Sequence, residues 1–223
     1  MRYFEYISDS KVNMLLPQIS SSEKKSISAE IGFDVKLLQG KLKTSRNVLD
    51  DRVHRLLAVE RHILKNENIG SIGDSKLWIA GEGWAMAGNI KEDSQAVFYF
   101  LRQNGTYLAL GGSARNLIGN ESKKSLEFGI SHASHLISLL TATEKESRFL
   151  ALPENKLTDW LNCGVAGHEQ PWAPMIYSMC HRRQERSFSV RISFLARRLL
   201  KVAYMDATIV LASPLYVAQA ESQ

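Results

Sequence analysis

Val97-Phe98-Tyr99-Phe100-Leu101, then Asn104-Gly105, then Thr106-Tyr107-Leu108-Ala109-Leu110, is the stretch that most constrains how this chain can fold. Two compact runs of aromatic and aliphatic residues flank a dipeptide that tolerates positive φ at both positions. The tight type I′ turn of a two-residue hairpin requires that tolerance. An antiparallel hairpin is therefore expected, and the rest of the chain must supply partners for its two outer edges.

Further strands are readable around it. Tyr3–Ile7 mixes aromatic and apolar residues and reads as a first strand. Leu77–Ile90 carries Trp78, Ile79, Trp84 and Met86, interrupted by Gly81, Gly83 and Gly88. Phe188, Val190, Ile192 and Phe194 alternate with Ser189, Arg191 and Ser193, the period-2 pattern of a sheet with one wet face. Thr208–Ala212 and Leu215–Val217 read either as a pair or as one strand bent at Pro214. Ile31, Phe33, Val35 and Leu37 alternate likewise, so 27–42 is expected to be extended.

Helical spacing marks two longer segments. In Asn47–Asn66, Leu49, Val53, Leu56, Leu57, Ile63 and Leu64 form one stripe. A second stripe, Leu126 to Leu140, opens at Ser122 or Ser125 and runs to about Thr143. Asp9-Ser10 reads as the cap of a short helix, Lys11 to Leu16, closed by Pro17. Pro153–Cys163 reads as another. Ser20–Ser26 and Gly164–Pro174 read as loops. Strands and helices do not alternate strictly, which disfavours a doubly wound parallel sheet. The expectation is one α+β domain over residues 1–223, a mainly antiparallel sheet with two longer helices packed on it.

With 223 residues, 44% hydrophobic and 23% charged, the chain is neither disordered nor fibrous. Cys163 and Cys180 are too few for a disulfide scaffold and are expected as free buried thiols. No apolar run follows Arg2, and the longest apolar stretch, Thr208–Ala218, is broken by Ser213-Pro214. A membrane span needs about 20 residues, so a cytoplasmic protein with no membrane partner is expected. The net charge of +5 collects near His181–Arg186, Arg191, Arg197, Arg198 and Lys201. It implies attraction to anions.

Three segments carry a resemblance. They are the opening Tyr3, Tyr6, Ser8, Lys11 and Val12, then the central Leu110-Gly111-Gly112-Ser113-Ala114-Arg115-Asn116-Leu117-Ile118-Gly119, and lastly Phe194-Leu195-Ala196-Arg197-Arg198-Leu199 with Leu211–Ala218. In this order they resemble a family of uncharacterised bacterial proteins, many actinobacterial. The resemblance implies a single domain in a bacterial cytoplasm and brings no activity, cofactor or catalytic residue.

Each chemistry-bearing group in the sequence also has a plainer reading. Gly111-Gly112-Ser113 follows a strand, and Arg115 adds a fork of donors. The group suits a phosphate or carboxylate; the plainer reading is a tight turn whose glycines take positive φ. It lacks both the Walker ending and the full GxGxxG spacing. Arg197 and Arg198, adjacent on a strand, point opposite ways, so one of them could enter a pocket. Lys11, with Tyr6 and Ser8 nearby, is the remaining polar candidate, plainly a solvated helix-start lysine. Aromatic residues are too sparse near the arginines for single-stranded nucleic acid. His132, His135, Cys163, His168, Cys180 and His181 lack metal-ligand spacing, so no metal or cofactor is called for. Trp78, Trp84, Trp160 and Trp172 read as core.

The reading is therefore a ligand-binding or sensing module for an anionic small molecule such as a nucleotide, held by Lys11, Gly111, Gly112, Ser113, Arg115, Arg197 and Arg198. A hydrolase using Glu82 or Asp34 is the alternative. A protein-interaction module working through a strand edge is the third.

Overall fold

A computed structural model describes residues 2–31, 48–89, 96–119, 136, 172–181 and 189–220. The expected hairpin is present as β4 (Ala96–Gln103) and β5 (Thr106–Ser113). Asn104 and Gly105 both take positive φ, 47° and 71°, as the type I′ turn requires. A Cβ on Gly105 would meet nothing within 4 Å, so only the backbone resists substitution there. Gly105→Ala is expected to cost about 1 kcal/mol through that left-handed conformation, measurable by urea denaturation.

The hairpin's edges are filled by long strands. β3 (Trp78–Asn89) pairs antiparallel with β4 over its second half and with β6 (Val190–Tyr204) over its first. β7 (Ala207–Gln219) runs antiparallel to β6 and parallel to β5. The ladder thus closes on itself in the order β3-β4-β5-β7-β6-β3. That order, with its one parallel pair, is the connectivity of the five-stranded Greek-key barrels typified by OB folds. β1 (Tyr3–Ile7) adds to β7 beyond the end of β5, and the two-residue β2 (Ile69–Gly70) lies parallel to β3. The fold is α+β and mainly antiparallel, as expected. The segment 207–219 is one strand.

Each barrel strand sends alternate residues inward. Ile79, Tyr99, Leu108, Phe194 and Val210, with neighbours of the same parity, fill the interior, and Tyr6 and Ile72 join them. The outer face splits in two. Phe98, Phe100, Tyr107, Ala109, Ile209 and Leu211 are covered by α4 (Trp172–His181) through Trp172, Ile176 and Cys180, and by Leu136. Trp78, Leu195, Leu215 and Ala218 are covered by α1 (Asp9–Leu15), α2 (Ser21–Ile31) and α3 (Val48–Asn66). Among the described residues no helix is long and apolar enough to cross a membrane.

Several local expectations are corrected. Ser8, not Asp9 or Ser10, precedes the first helix, and Pro17 lies within a 3-10 turn, Leu16–Gln18. Ser20–Ser26 is no loop: Ser20 Oγ accepts the Glu23 N–H at 3.2 Å and starts α2, half of a capping box. That helix carries Ile27 to Ile31, expected to be strand; 32–47 lie outside the described residues. Trp172 to Pro174 belong to the first turn of α4, where a proline is tolerated. The expected helices at 122–143 and 153–163 also lie outside the described residues, apart from helical, buried Leu136. Cys180 is a free, buried thiol whose Sγ donates to the Leu101 carbonyl at 3.4 Å. Trp78 and Trp172 are core, but Trp84 is 62% exposed.

Candidate functional site

At one end of the barrel, β1 passes into α1 and lies against β7. β7 is irregular there. Leu195 pairs with Tyr216 and Ala196 with Pro214, so Leu215 is an extra residue, a β-bulge. Pro214 has no N–H for the ladder, which makes this the place where a proline is tolerated in a strand. The carbonyls around the bulge are taken by the neighbouring segment: Leu215 O accepts the Ser8 N–H at 2.9 Å, and Pro214 O accepts from Lys11.

Lys11 is the residue that sets the site apart. Its side chain, expected to be solvated, is buried. Its ammonium donates to Ser213 Oγ at 2.6 Å, to Pro214 O at 3.1 Å and to Ser8 Oγ at 3.4 Å. All three acceptors are uncharged. Burial, and after it the charge of Arg197, lower the Lys11 pKa from the ordinary 10.5 to about 8. Arg197 pairs with Ser213 across the β6–β7 ladder, which puts both side chains on the face toward α1. Arg197 is exposed, and among the described residues no carboxylate is bonded to it or to Lys11. The nearest acid in sequence, Asp9, is held at 2.7 Å by Arg52 of α3. The same guanidinium donates to the carbonyls of Ile7 and Asn116.

The cluster continues inward through Tyr6. Its hydroxyl accepts from Asn116 Nδ2 at 3.1 Å and is bonded to the Ser113 backbone N–H and the Ser8 side chain. Burial pushes the Tyr6 phenol up. A second buried charged group lies on α3. Glu60 of α3 accepts from the Tyr216 hydroxyl at 2.8 Å and from Arg2 at 2.7 Å, tying both ends of the chain to the helix.

The glycine pair is not a turn. Gly111 and Gly112 lie within β5, opposite Phe98 and Val97, and their role is steric. A Cβ on Gly111 would come within 2.6 Å of the Phe98 ring, and one on Gly112 would overlap the Tyr6 hydroxyl. The Ser113 N–H is committed to Tyr6, so the amides of this segment do not form a nest. Arg115 is exposed on the 3-10 turn Ala114–Asn116. Arg198 donates to the Asp74 carbonyl at 3.3 Å, and Lys201 to that of Gly73, holding the 71–76 loop along an open groove. Of the residues singled out from sequence, the structure brings Lys11 and Arg197 together. It sets Ser113 behind Tyr6, and turns Arg198 toward another loop.

Glu82 is exposed on the outer face of β3 and pairs with Arg191 at 3.2 Å. Asp34 lies outside the described residues, as do Cys163, His132, His135 and His168. Among the described residues no cluster of three or more His, Cys, Asp or Glu could hold a metal.

Ser8, Ser213 and Pro214 were not expected in the site. Their signal was the break Ser213-Pro214 inside an otherwise apolar run. Each of the three segments that carry the resemblance contributes: Tyr6, Ser8 and Lys11 from the first, Gly112, Ser113 and Asn116 from the second, Arg197, Ser213 and Pro214 from the third. Compared with known proteins, the chain matches the family described as "Family of unknown function (DUF7019)" over residues 2–221, and it belongs to that family. No curated protein and no solved structure matches it.

Proposed function

We propose that this protein is a binding module for a small anion, which Lys11 and Arg197 neutralise where α1 meets the bulged part of β7. One observation carries the reading. A buried ammonium stands beside a guanidinium, its three protons on neutral oxygens, with no described acid to balance either charge. Burying an uncompensated cation is unfavourable, and a bound anion would remove that penalty. The protein is taken to act in a bacterial cytoplasm as a single domain.

A nucleophile–base reading of Ser213 and Lys11 has the right spacing at 2.6 Å. It is weaker because the Ser213 side chain is completely buried. Glu82, exposed and paired with Arg191, gives the hydrolase alternative less support than Lys11 gives binding. Barrel closure leaves strand edges at β1 and β2 for an interaction module.

Thermal unfolding tests the proposal. An anion at ten times its dissociation constant should stabilise the parent by about 1.4 kcal/mol. Arg197→Gln and Lys11→Met should each lose most of that gain, while Arg115→Ala should keep it. Equal stabilisation of all four proteins would remove Lys11 and Arg197 from the site.

A further inference from the structure

The charge count at this site narrows the ligand, on the premise that the anion-binding reading holds. We infer that the group bound is a doubly charged phosphate monoester rather than a carboxylate or a phosphodiester. Two cations face the site and no described acid offsets them. A monoanion would leave one positive charge uncompensated beside a buried ammonium, whereas a dianion balances both. The donors agree with this. Lys11 brings its charge, its N–H groups being held by Ser8, Ser213 and Pro214, and the exposed Arg197 offers a planar fork of donors. A monoester can accept that fork on two of its terminal oxygens and keep the third toward the Lys11 charge, where a carboxylate has only two oxygens, in one plane.

The rest of the ligand would point outward. Trp78, opposite Arg197 on β3, is only 5% exposed and belongs to the helix-side core. The exposed rings of Trp84 and Tyr3 are paired with Arg191 and Gln219, roughly 20 Å along the ladder from Arg197 and Ser213. Neither can stack on a base attached to this phosphate. A nucleotide base therefore has no described platform here, and recognition falls on the phosphate itself.

The titratable and charged groups around Lys11 are Arg197 of β6, Tyr6 of β1 and the Asp9–Arg52 pair between α1 and α3. Calorimetric titration of the full chain with methyl phosphate, sulfate, dimethyl phosphate and acetate separates the possibilities. Methyl phosphate should tighten about tenfold between pH 5 and pH 7 as its second proton leaves, near pH 6. Sulfate, doubly charged throughout, should stay level over that range. Both should weaken about fivefold from pH 8 to pH 9 as Lys11 loses its proton. Dimethyl phosphate and acetate should bind at least tenfold more weakly, and Arg197→Gln should erase that preference. If the two monoanions bound as tightly as methyl phosphate, the dianion inference would fall and the anion site would stand. If none of the four bound, sulfate included, both would fall.

Discussion

Gly112→Ala should destabilise the fold by about 3 kcal/mol, the upper end of the range for overpacking a filled core. The new methyl would overlap the hydroxyl and the adjoining ring carbons of Tyr6, a side chain with no exposed surface. Tyr6 cannot step aside cheaply. Its ring belongs to the barrel core, and its hydroxyl is bonded to Asn116, Ser113 and Ser8. Tyr6→Phe alone should cost about 1–3 kcal/mol by stranding buried donors. In the Gly112→Ala background it should cost less, because the overlapped oxygen is gone. A coupling of about 1 kcal/mol is the expected outcome of the double-mutant cycle. Additive losses would mean that the two residues do not share the space the structure gives them.

Lys11 should make stability depend on pH in an unusual direction. The folded protein releases this proton near pH 8, and the unfolded chain keeps it to about 10.5. Between those values the unfolded state holds more protons, so stability rises with pH; below 8 the full penalty is present. The whole effect is about 3 kcal/mol. Burial pushes the phenols of Tyr6, Tyr99 and Tyr216 up, which lowers stability once free tyrosine begins to ionise, so the clean window closes near pH 10. Denaturant titrations from pH 7 to pH 10 should show a gain of about 2 kcal/mol in the parent that is missing in Lys11→Met. Parallel profiles would show that Lys11 is hydrated and ordinary.

How much of this was legible in the sequence differs by residue. The β4–β5 hairpin and α3 were readable because their signals are local: Asn104-Gly105 sets the turn, and a stripe of apolar residues sets the helix. The start of α2 was also present, as Ser20 and Glu23, but a run of serines and lysines obscured it. The glycine pair misled for a different reason. What demands Gly112 is Tyr6, more than a hundred positions earlier, and no local pattern records that contact. Barrel closure was equally hidden, since it depends on β3 and β6 each serving two partners.

The site follows the same division. The residue types were visible, and Lys11 and Arg197 were among those singled out. Their juxtaposition was not, because it is made by the Leu215 bulge and by β1 docking on β7. Seven-residue α1 is too short for periodicity to mark Lys11 as inward-facing. Arg198 looked equivalent to Arg197 in sequence, yet the alternation of the strand sends it to the 71–76 loop.

The most direct test of the central claim is an NMR titration of the Lys11 side chain, labelled at its ε carbon and ζ nitrogen, without and with sulfate. The account predicts a pKa of about 8 in the free protein, rising when the anion binds. A value near the ordinary 10.5, unchanged by sulfate, would contradict it.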